Sequence, residues 1–407
     1  MILTAHDTSG SAGAPSRGGL ADRDFLLLLL ATACAFSNYA PLLSVVPLWT
    51  DEGGTETAWA GAATGVTMGV TAAVQMCMPW LLRKLSLPAL FAGGAVLLGA
   101  PTFAYLASSQ LLPVLAVSAV RGVGFAMVAV AGSALVAELV TERKRGRAVG
   151  WYGIAVGLPQ VVCLPLAVWG VERWGYATVF TVSALLSVIA APLIGAVSAG
   201  TRQRGGRPFP PGARGSGIAG KWRSMLPPWA VLITAACALG GVTSFLPLAL
   251  DEVHVAAVAL FVLSATAIAG RWGAGWLSDR AGPGRLLVLG VLACAVGMAG
   301  FAAVVGGAPP WPVSMVASAV YGLGFGALQN DTLVVMFAQA GPGSRGSGLA
   351  STAWNMAYDA GTGIGAAGVG LMSGAFTVAG SFAVAAVAIA ASAPLAWLSG
   401  RAAGTPR

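Results

Sequence analysis

Charge is what this chain has least of. Of 407 residues, 9% are Asp, Glu, Lys or Arg, against about 25% in a soluble domain. Hydrophobic residues make up 57%, and the mean hydropathy is +0.81. So few charges cannot cover a soluble protein of this length, so lipid is the solvent for most of the chain. Histidine is scarcer still: His6 and His254 lie far apart, which excludes zinc-site spacing. The five cysteines, Cys34, Cys77, Cys163, Cys237 and Cys294, each sit inside an apolar run and form no CxxC. They read as small packing residues rather than disulfides or metal ligands. A GxxxxGK[ST] motif is missing, so the energy for any transport comes from an ion gradient rather than ATP. Two remote histidines and scattered carboxylates assemble no nucleophile–base pair, which argues against an enzyme.

What the chain does have is long apolar runs. Twelve of about 20 residues or more read as membrane-spanning helices. They cover roughly 25–49, 58–82, 88–107, 111–139, 149–171 and 176–198, then roughly 227–249, 256–276, 286–306, 313–339, 347–373 and 376–398. They lack the alternation of barrel strands and far exceed the ~10 residues of one. Leu30-Ala31-Thr32-Ala33-Cys34 is a poor lipoprotein-like cleavage site, and its run continues past the cysteine to spanning length. Residues 1–24 read as a tail, 25–198 as a six-helix bundle, 199–226 as a linker, 227–398 as a second six-helix bundle and 399–407 as a tail.

The linker holds the longest polar segment inside the chain. It carries Arg202, Arg204, Arg207, Arg214, Lys221 and Arg223 and no acidic residue. If both termini lie in the cytoplasm, the inner side also holds Arg17, Arg23, Arg83, Lys84, Arg143, Lys144, Arg145, Arg147, Arg280, Arg285, Arg345, Arg401 and Arg407. That leaves three of the 22 Lys and Arg elsewhere: Arg173 in an outer loop, and Arg121 and Arg271 within or at the end of spans. The outer loops carry Asp51, Glu52, Glu56, Glu172, Asp251 and Glu252. This is a positive-inside pattern. It sets the net charge of +8 beside an anionic leaflet, not on a nucleic acid. The Arg-, Ala- and Gly-rich usage, with only Lys84, Lys144 and Lys221 as lysines, points to a GC-rich bacterial genome, hence to the bacterial inner membrane.

The two halves repeat with a constant offset of 200. Ala119-Val120-Arg121-Gly122-Val123-Gly124-Phe125 matches Ala319-Val320-Tyr321-Gly322-Leu323-Gly324-Phe325, and Arg145-Gly146 matches Arg345-Gly346. Same-orientation repeats of six spans imply two bundles related by an axis along the membrane normal. The turn Gly275-Trp276-Leu277-Ser278-Asp279-Arg280-Ala281-Gly282-Pro283-Gly284-Arg285 resembles the G-x-L-x-D-R-x-G-R signature of the major facilitator superfamily, with its final Arg displaced. The copy between spans two and three is eroded to Met78-Pro79-Trp80-Leu81-Leu82-Arg83-Lys84 and lacks its Asp. Arg121-Gly122-Val123-Gly124 resembles the family's second motif. Span five, through Gly157-Leu158-Pro159-Gln160, is faintly similar to the exporters' Gly-Pro motif but lacks the glycine pair after the proline. The resemblance implies an all-α fold of twelve transmembrane helices in two pseudo-symmetric six-helix bundles, in the drug/proton antiporter-like branch.

Arg121 stands about ten residues into span four and Asp359 about twelve into span eleven, both near mid-membrane at ~1.5 Å per residue. Charges there are costly and face a partner or a water-filled cavity. They are candidates for a charge pair, or for a switch in which Asp359 takes up a proton and Arg121 tunes it by proximity. A structural salt bridge is the alternative. Asp331, after Gln329-Asn330, is a third candidate, for binding substrate or capping the cytoplasmic gate. The resemblance implies a gate built from Gly275, Asp279, Arg280, Arg271 and Arg285. It also implies that spans one, four, seven and ten line the cavity, which nominates Asn38, Tyr39, Thr243, Ser244, Phe245, Tyr321, Gln329 and Asn330; span eleven adds Asn355 and Tyr358. Such a lining suits an amphipathic organic molecule better than a sugar. Gly122, Gly124, Gly361, Gly363 and Gly365 read as close-packing seams.

The chain therefore reads as a monomeric multi-pass transporter with no cofactor, coupled to protons. It is expected to export a small amphipathic drug or natural product. Proton-coupled uptake of a nutrient, and a transporter-like receptor or scaffold that moves nothing, are the alternatives.

Overall fold

A computed structural model describes residues 22–140, 145–197, 217–340 and 344–404. Most of the basic linker lies outside them. The described residues form helices α1 (Arg23–Glu52), α2 (Thr57–Ala60), α3 (Ala62–Lys84), α4 (Leu87–Gly99), α5 (Leu111–Leu139), α6 (Arg145–Gly195), α7 (Gly217–Ala249), α8 (Val253–Ala281), α9 (Leu287–Val305), α10 (Pro310–Ala340), α11 (Ser344–Ala391) and α12 (Ala393–Gly404).

Nine helices among the described residues are long and apolar enough to cross a membrane. Two of these, over Gly150–Gly195 and Leu349–Arg401, are long enough to cross twice. Each turns at a residue with non-helical backbone, Gly175 in α6 and Thr377 in α11. With the shorter apolar helix Ala62–Met78 beside them, these spans are consistent with the expected twelve. Gly175 (φ 78°) adopts a conformation that costs glycine little. Thr377 (φ 63°) is a β-branched residue in the same region, where the cost is roughly 1–2 kcal/mol. Its hydroxyl offsets part of this by accepting the Gly380 amide at 3.3 Å, which caps the returning helix.

Local chemistry sets the other boundaries. Ser86 caps α4 by accepting the Ala89 amide at 3.4 Å, with Pro88 in the first turn, where it has no amide to lose. Pro101 ends α4, and the chain tightens to a 3-10 stretch over Ala100–Ala107. Two boundaries differ from the sequence reading. Helix α7 starts at Gly217, ten residues before the expected span, and runs through Pro227 and Pro228 without ending. The last crossing is interrupted at Ser392, just before Pro394, and resumes as α12.

The spans pack as two halves. In the first, α1 lies on α6, and α5 packs on α3 and α4; in the second, α7 lies on α11, and α10 packs on α8 and α9. Matching hydrogen bonds recur in both: Thr67 donates to the Ser118 carbonyl at 3.3 Å, and Thr266 to the Ser318 carbonyl at 3.4 Å. Trp–cation pairs mark one end of the molecule, with Lys84 over Trp80 (4.2 Å), Arg280 over Trp276 (3.6 Å) and Arg401 over Trp397 (3.9 Å). Exposed Trp59, Trp174 and Trp311 lie towards the opposite, acidic end, where Asp51 and Glu252 are found. Two such belts are what headgroup regions select.

The glycine seams are real. Gly122 sits against the Thr67 carbonyl, Gly124 against α4, Gly361 and Gly365 against α7, and Gly363 against Met68 of α3. A Cβ built on Gly365 collides with the Cys237 carbonyl, which is backbone and cannot swing aside. Gly365→Ala is therefore expected to destabilise the protein by about 1–3 kcal/mol. Thermal unfolding in detergent reads this as a lowered midpoint, and an unchanged midpoint would show that α7 and α11 can part at no cost.

Candidate functional site

The site lies where α1, α3 and α6 of the first half meet α7, α8 and α11 of the second. Towards the acidic end the halves touch closely. Ser44 donates to the Thr243 carbonyl, Ser244 donates to the Leu43 carbonyl at 3.3 Å, and Gly61 lies directly on Ala366. Phe245 is fully buried beside Gly61. Towards the basic end the contact loosens. Asp359 is 6% exposed, but Asn355, four residues earlier on the same face of α11, is exposed and bonds only its own helix, at the Ser351 carbonyl (2.8 Å). Arg271 of α8 and Phe337 of α10 are exposed as well. The halves thus meet closely at the acidic end and leave Asn355 and Arg271 exposed towards the basic end.

At the floor of the closed part, Gln75 of α3 donates through Nε2 to Oδ2 of Asp359 at 2.8 Å. This bond ties the two halves through the central carboxylate. Sequence reasoning missed Gln75; its signal was a lone amide in an otherwise apolar span. Gln160 of α6 was likewise passed over as a site residue, and it lies near the Tyr358 hydroxyl.

Arg121 is 3% exposed, and among the described residues it bonds only neutral groups of its own half. It donates through Nη1 to the Tyr105 hydroxyl at 3.2 Å and through Nη2 to Asn38 Oδ1 at 3.1 Å. Tyr105 in turn shares a 2.8 Å bond with Ser118, and Asn38 donates to Thr102 at 3.2 Å. The buried Nε has no partner. Arg121 and Asp359 are not paired with each other among the described residues; each lies within electrostatic range of the Tyr39 hydroxyl. Tyr39 stacks on Phe125 at 3.9 Å and donates to the Met68 sulfur at 3.7 Å. The gap beside Arg121 measures about 10 Å³, the lower limit for one water, so no organic solute reaches the guanidinium in this conformation.

The second half contributes a different cluster. Arg271 donates to Gln329 Oε1 at 3.4 Å and lies 5.5 Å from the Trp354 ring. Trp354 is fixed by bonds from Nε1 to the Gln329 carbonyl (3.1 Å) and the Thr332 hydroxyl (3.2 Å), and stacks with Tyr358 at 5.7 Å. Asn330 has a buried amide nitrogen with no partner. Tyr321 is fully buried and donates to the Ala235 carbonyl at 2.6 Å, packing α10 on α7.

Asp331, in α10, reaches the turn after α8. Its carboxylate accepts the Ser278 hydroxyl at 2.6 Å and the Leu286 amide at 2.9 Å, so it anchors α10 to the end of α8 and the start of α9. Gly275 faces Asn330, Arg280 covers Trp276, and Arg285 is exposed. The side chain of Asp279 lies outside the described residues. Arg271 stands about two turns before Asp279 along α8 and contacts α10 and α11.

Two matched helical halves, in close contact at one end and holding single ionisable groups at mid-span, are the architecture of an alternating-access carrier. Residues 25–366 match the Major Facilitator Superfamily. This chain belongs to that superfamily. It is a membrane transporter that handles small molecules, not an enzyme. The fold is shared with a bacterial homologue of the human lysosomal transporter Spinster in its inward-facing, unoccupied conformation. That match has a TM-score of 0.75 at 13% identity and covers 95% of this chain and 98% of the homologue. The occupied form of the same homologue gives 0.72, 13%, 93% and 96%. A mutant of the nucleoside transporter NupG gives 0.67, 14%, 94% and 100%. No curated protein matches the sequence.

Proposed function

We propose that the chain is a proton-coupled exporter of a small amphipathic organic compound, a drug or natural product, in the drug/proton antiporter-like branch. The observation that carries this reading is Asp359: a carboxylate inside the membrane region, enclosed between the two halves and held by the Gln75 amide of the opposite half. A buried acid in a span is a functional group by default, and a proton is the solute it handles most directly. Two six-span bundles, residues 25–198 and 227–398, rock about this point. The state closed at the acidic end is then the inward-facing one, with both termini in the cytoplasm of a bacterium and the basic linker beside the inner leaflet. The protein works as a monomer in the inner membrane and needs no cofactor beyond the proton gradient.

The test is flux in proteoliposomes of the purified chain, with a pH-sensitive dye inside and a panel of amphipathic compounds added under an imposed pH gradient. Substrate entry coupled to proton exit is expected. Proton movement in the same direction as substrate would replace export by uptake, and no flux with any compound would leave a receptor or scaffold.

A further inference from the structure

We infer that an anionic diacyl phospholipid binds at the basic end of the second half, its phosphate held between Arg285 and Arg401 and its chains lying along α9 and α12. This depends neither on the direction of transport nor on the coupling ion. It needs only that the basic end meets a leaflet.

The inference starts from two glycines. Gly284, in the turn before α9, and Gly400, in α12, lie backbone against backbone, and a Cβ on either would collide with the other. The residue after each is an exposed arginine, Arg285 and Arg401. The glycine contact therefore brings two cationic positions together on one rim. Among the described residues neither arginine is in an ion pair; the pair that is present joins His254 and Glu252 at the acidic end. Asp331 reaches the same turn, but it is fully buried and already accepts the Ser278 hydroxyl and the Leu286 amide.

Apolar surface leads away from each arginine. On α9, Leu289, Leu292 and Val296 are exposed at the spacing of one helix face, while Gly290 and Cys294 are buried. On α12, Leu395 and Leu398 are exposed and Arg401 follows three residues later, while Ala396 and Ser399 are buried. The two helices pack on each other, so the two stripes are neighbours. Trp397 is half-exposed, and Arg401 lies over its ring at 3.9 Å. A guanidinium stacked by its face still presents its N–H edge to a phosphate, and a tryptophan ring belongs at headgroup depth.

The surface thus passes from aliphatic stripes, through one aromatic ring, to a pair of cations. A phospholipid passes in the same order from its chains, through glycerol, to phosphate. A zwitterionic headgroup would bring its own cation against the arginines, and free phosphate has no chains to lay on the stripes. Each basic residue near such a surface favours an anionic lipid by about fivefold.

The test uses the purified full chain in detergent, titrated with dioleoyl phosphatidylglycerol, dioleoyl phosphatidylcholine or inorganic phosphate, with affinity read from thermal stabilisation. Phosphatidylglycerol is expected to bind at least about tenfold more tightly than phosphatidylcholine, and inorganic phosphate to give no stabilisation over the same range. Arg285→Gln combined with Arg401→Gln should remove about tenfold or more of that preference. Arg23→Gln combined with Lys84→Gln takes as much charge from the basic end of the first half and should leave the preference within about twofold. Equal affinities for the two lipids in the unaltered protein, stabilisation by phosphate alone, or an equal loss in both double variants overturns the proposal. The lipid comparison needs no variant, so it decides even if a variant fails to fold. Selective lipid binding without proton-coupled flux would sink the exporter and leave this inference standing; proton-coupled flux with no lipid preference would do the opposite.

Discussion

Asp359→Asn is expected to abolish pH-driven transport while leaving exchange of substrate for substrate intact. The substitution is nearly isosteric, and the Asn carbonyl can still accept the Gln75 amide that Asp359 Oδ2 accepts at 2.8 Å. The tie between the halves therefore survives, and with it the rocking motion. What is lost is the ability to take up and release a proton at that position. Accumulation against a pH gradient should drop by at least about tenfold, since an uncoupled carrier only equilibrates its solute. Counterflow in the absence of a gradient should stay within about twofold. Equal pH-driven rates in variant and parent would remove Asp359 from the coupling mechanism. Loss of both activities would mean that the carboxylate serves structure or binding instead.

Arg121→Met should separate stability from transport in the opposite sense to an ordinary core mutation. The guanidinium is 3% exposed, bonded only to neutral groups, and leaves Nε without a partner. Methionine of similar length removes a buried charge that has no ionic partner among the described residues. It leaves Asn38 Oδ1 unsatisfied, at a cost of about 1–3 kcal/mol. Tyr105 keeps Ser118, and Asn38 keeps Thr102. Replacing buried ionic groups with apolar ones of matched volume is often neutral or stabilising by about 1–4 kcal/mol, so the two terms nearly cancel. The thermal midpoint should stay at or above that of the parent, while transport falls at least about tenfold because the field across Tyr39 and Asp359 is gone. A large drop in midpoint would instead make Arg121 a structural strut.

The fold was legible because lipid imposes few solutions. Apolar runs of spanning length, the basic residues on one side and the 200-residue offset led directly to twelve crossings in two halves. Boundaries were less legible where proline acts by degree: Pro227 and Pro228 sit inside α7, while Pro101 ends α4. Within the site, Arg121 and Asp359 stood out because isolated charges in apolar spans are rare. Their actual partners did not. Gln75 and Asn38 are neutral, and only the folding of distant spans onto one another brings Gln75 to Asp359 or Asn38 to Arg121. Arg271 was read as part of the gate that the signature turn implies; its contacts with Gln329 and Trp354, on two other helices, are not legible from its neighbours in sequence.

The contact of Gly61 with Ala366 has a bearing on how fast such a carrier can cycle. At the acidic end the halves meet with backbone lying on backbone and the Phe245 ring beside Gly61, and no ion pair spans that seam among the described residues. Near it, two hydroxyl-to-carbonyl bonds, from Ser44 and Ser244, cross between the halves. Each is worth about 0.5–1.5 kcal/mol net, and both hydroxyls can turn to water once the seam parts. With so few polar ties to break, parting this end is governed by how closely the apolar surfaces fit.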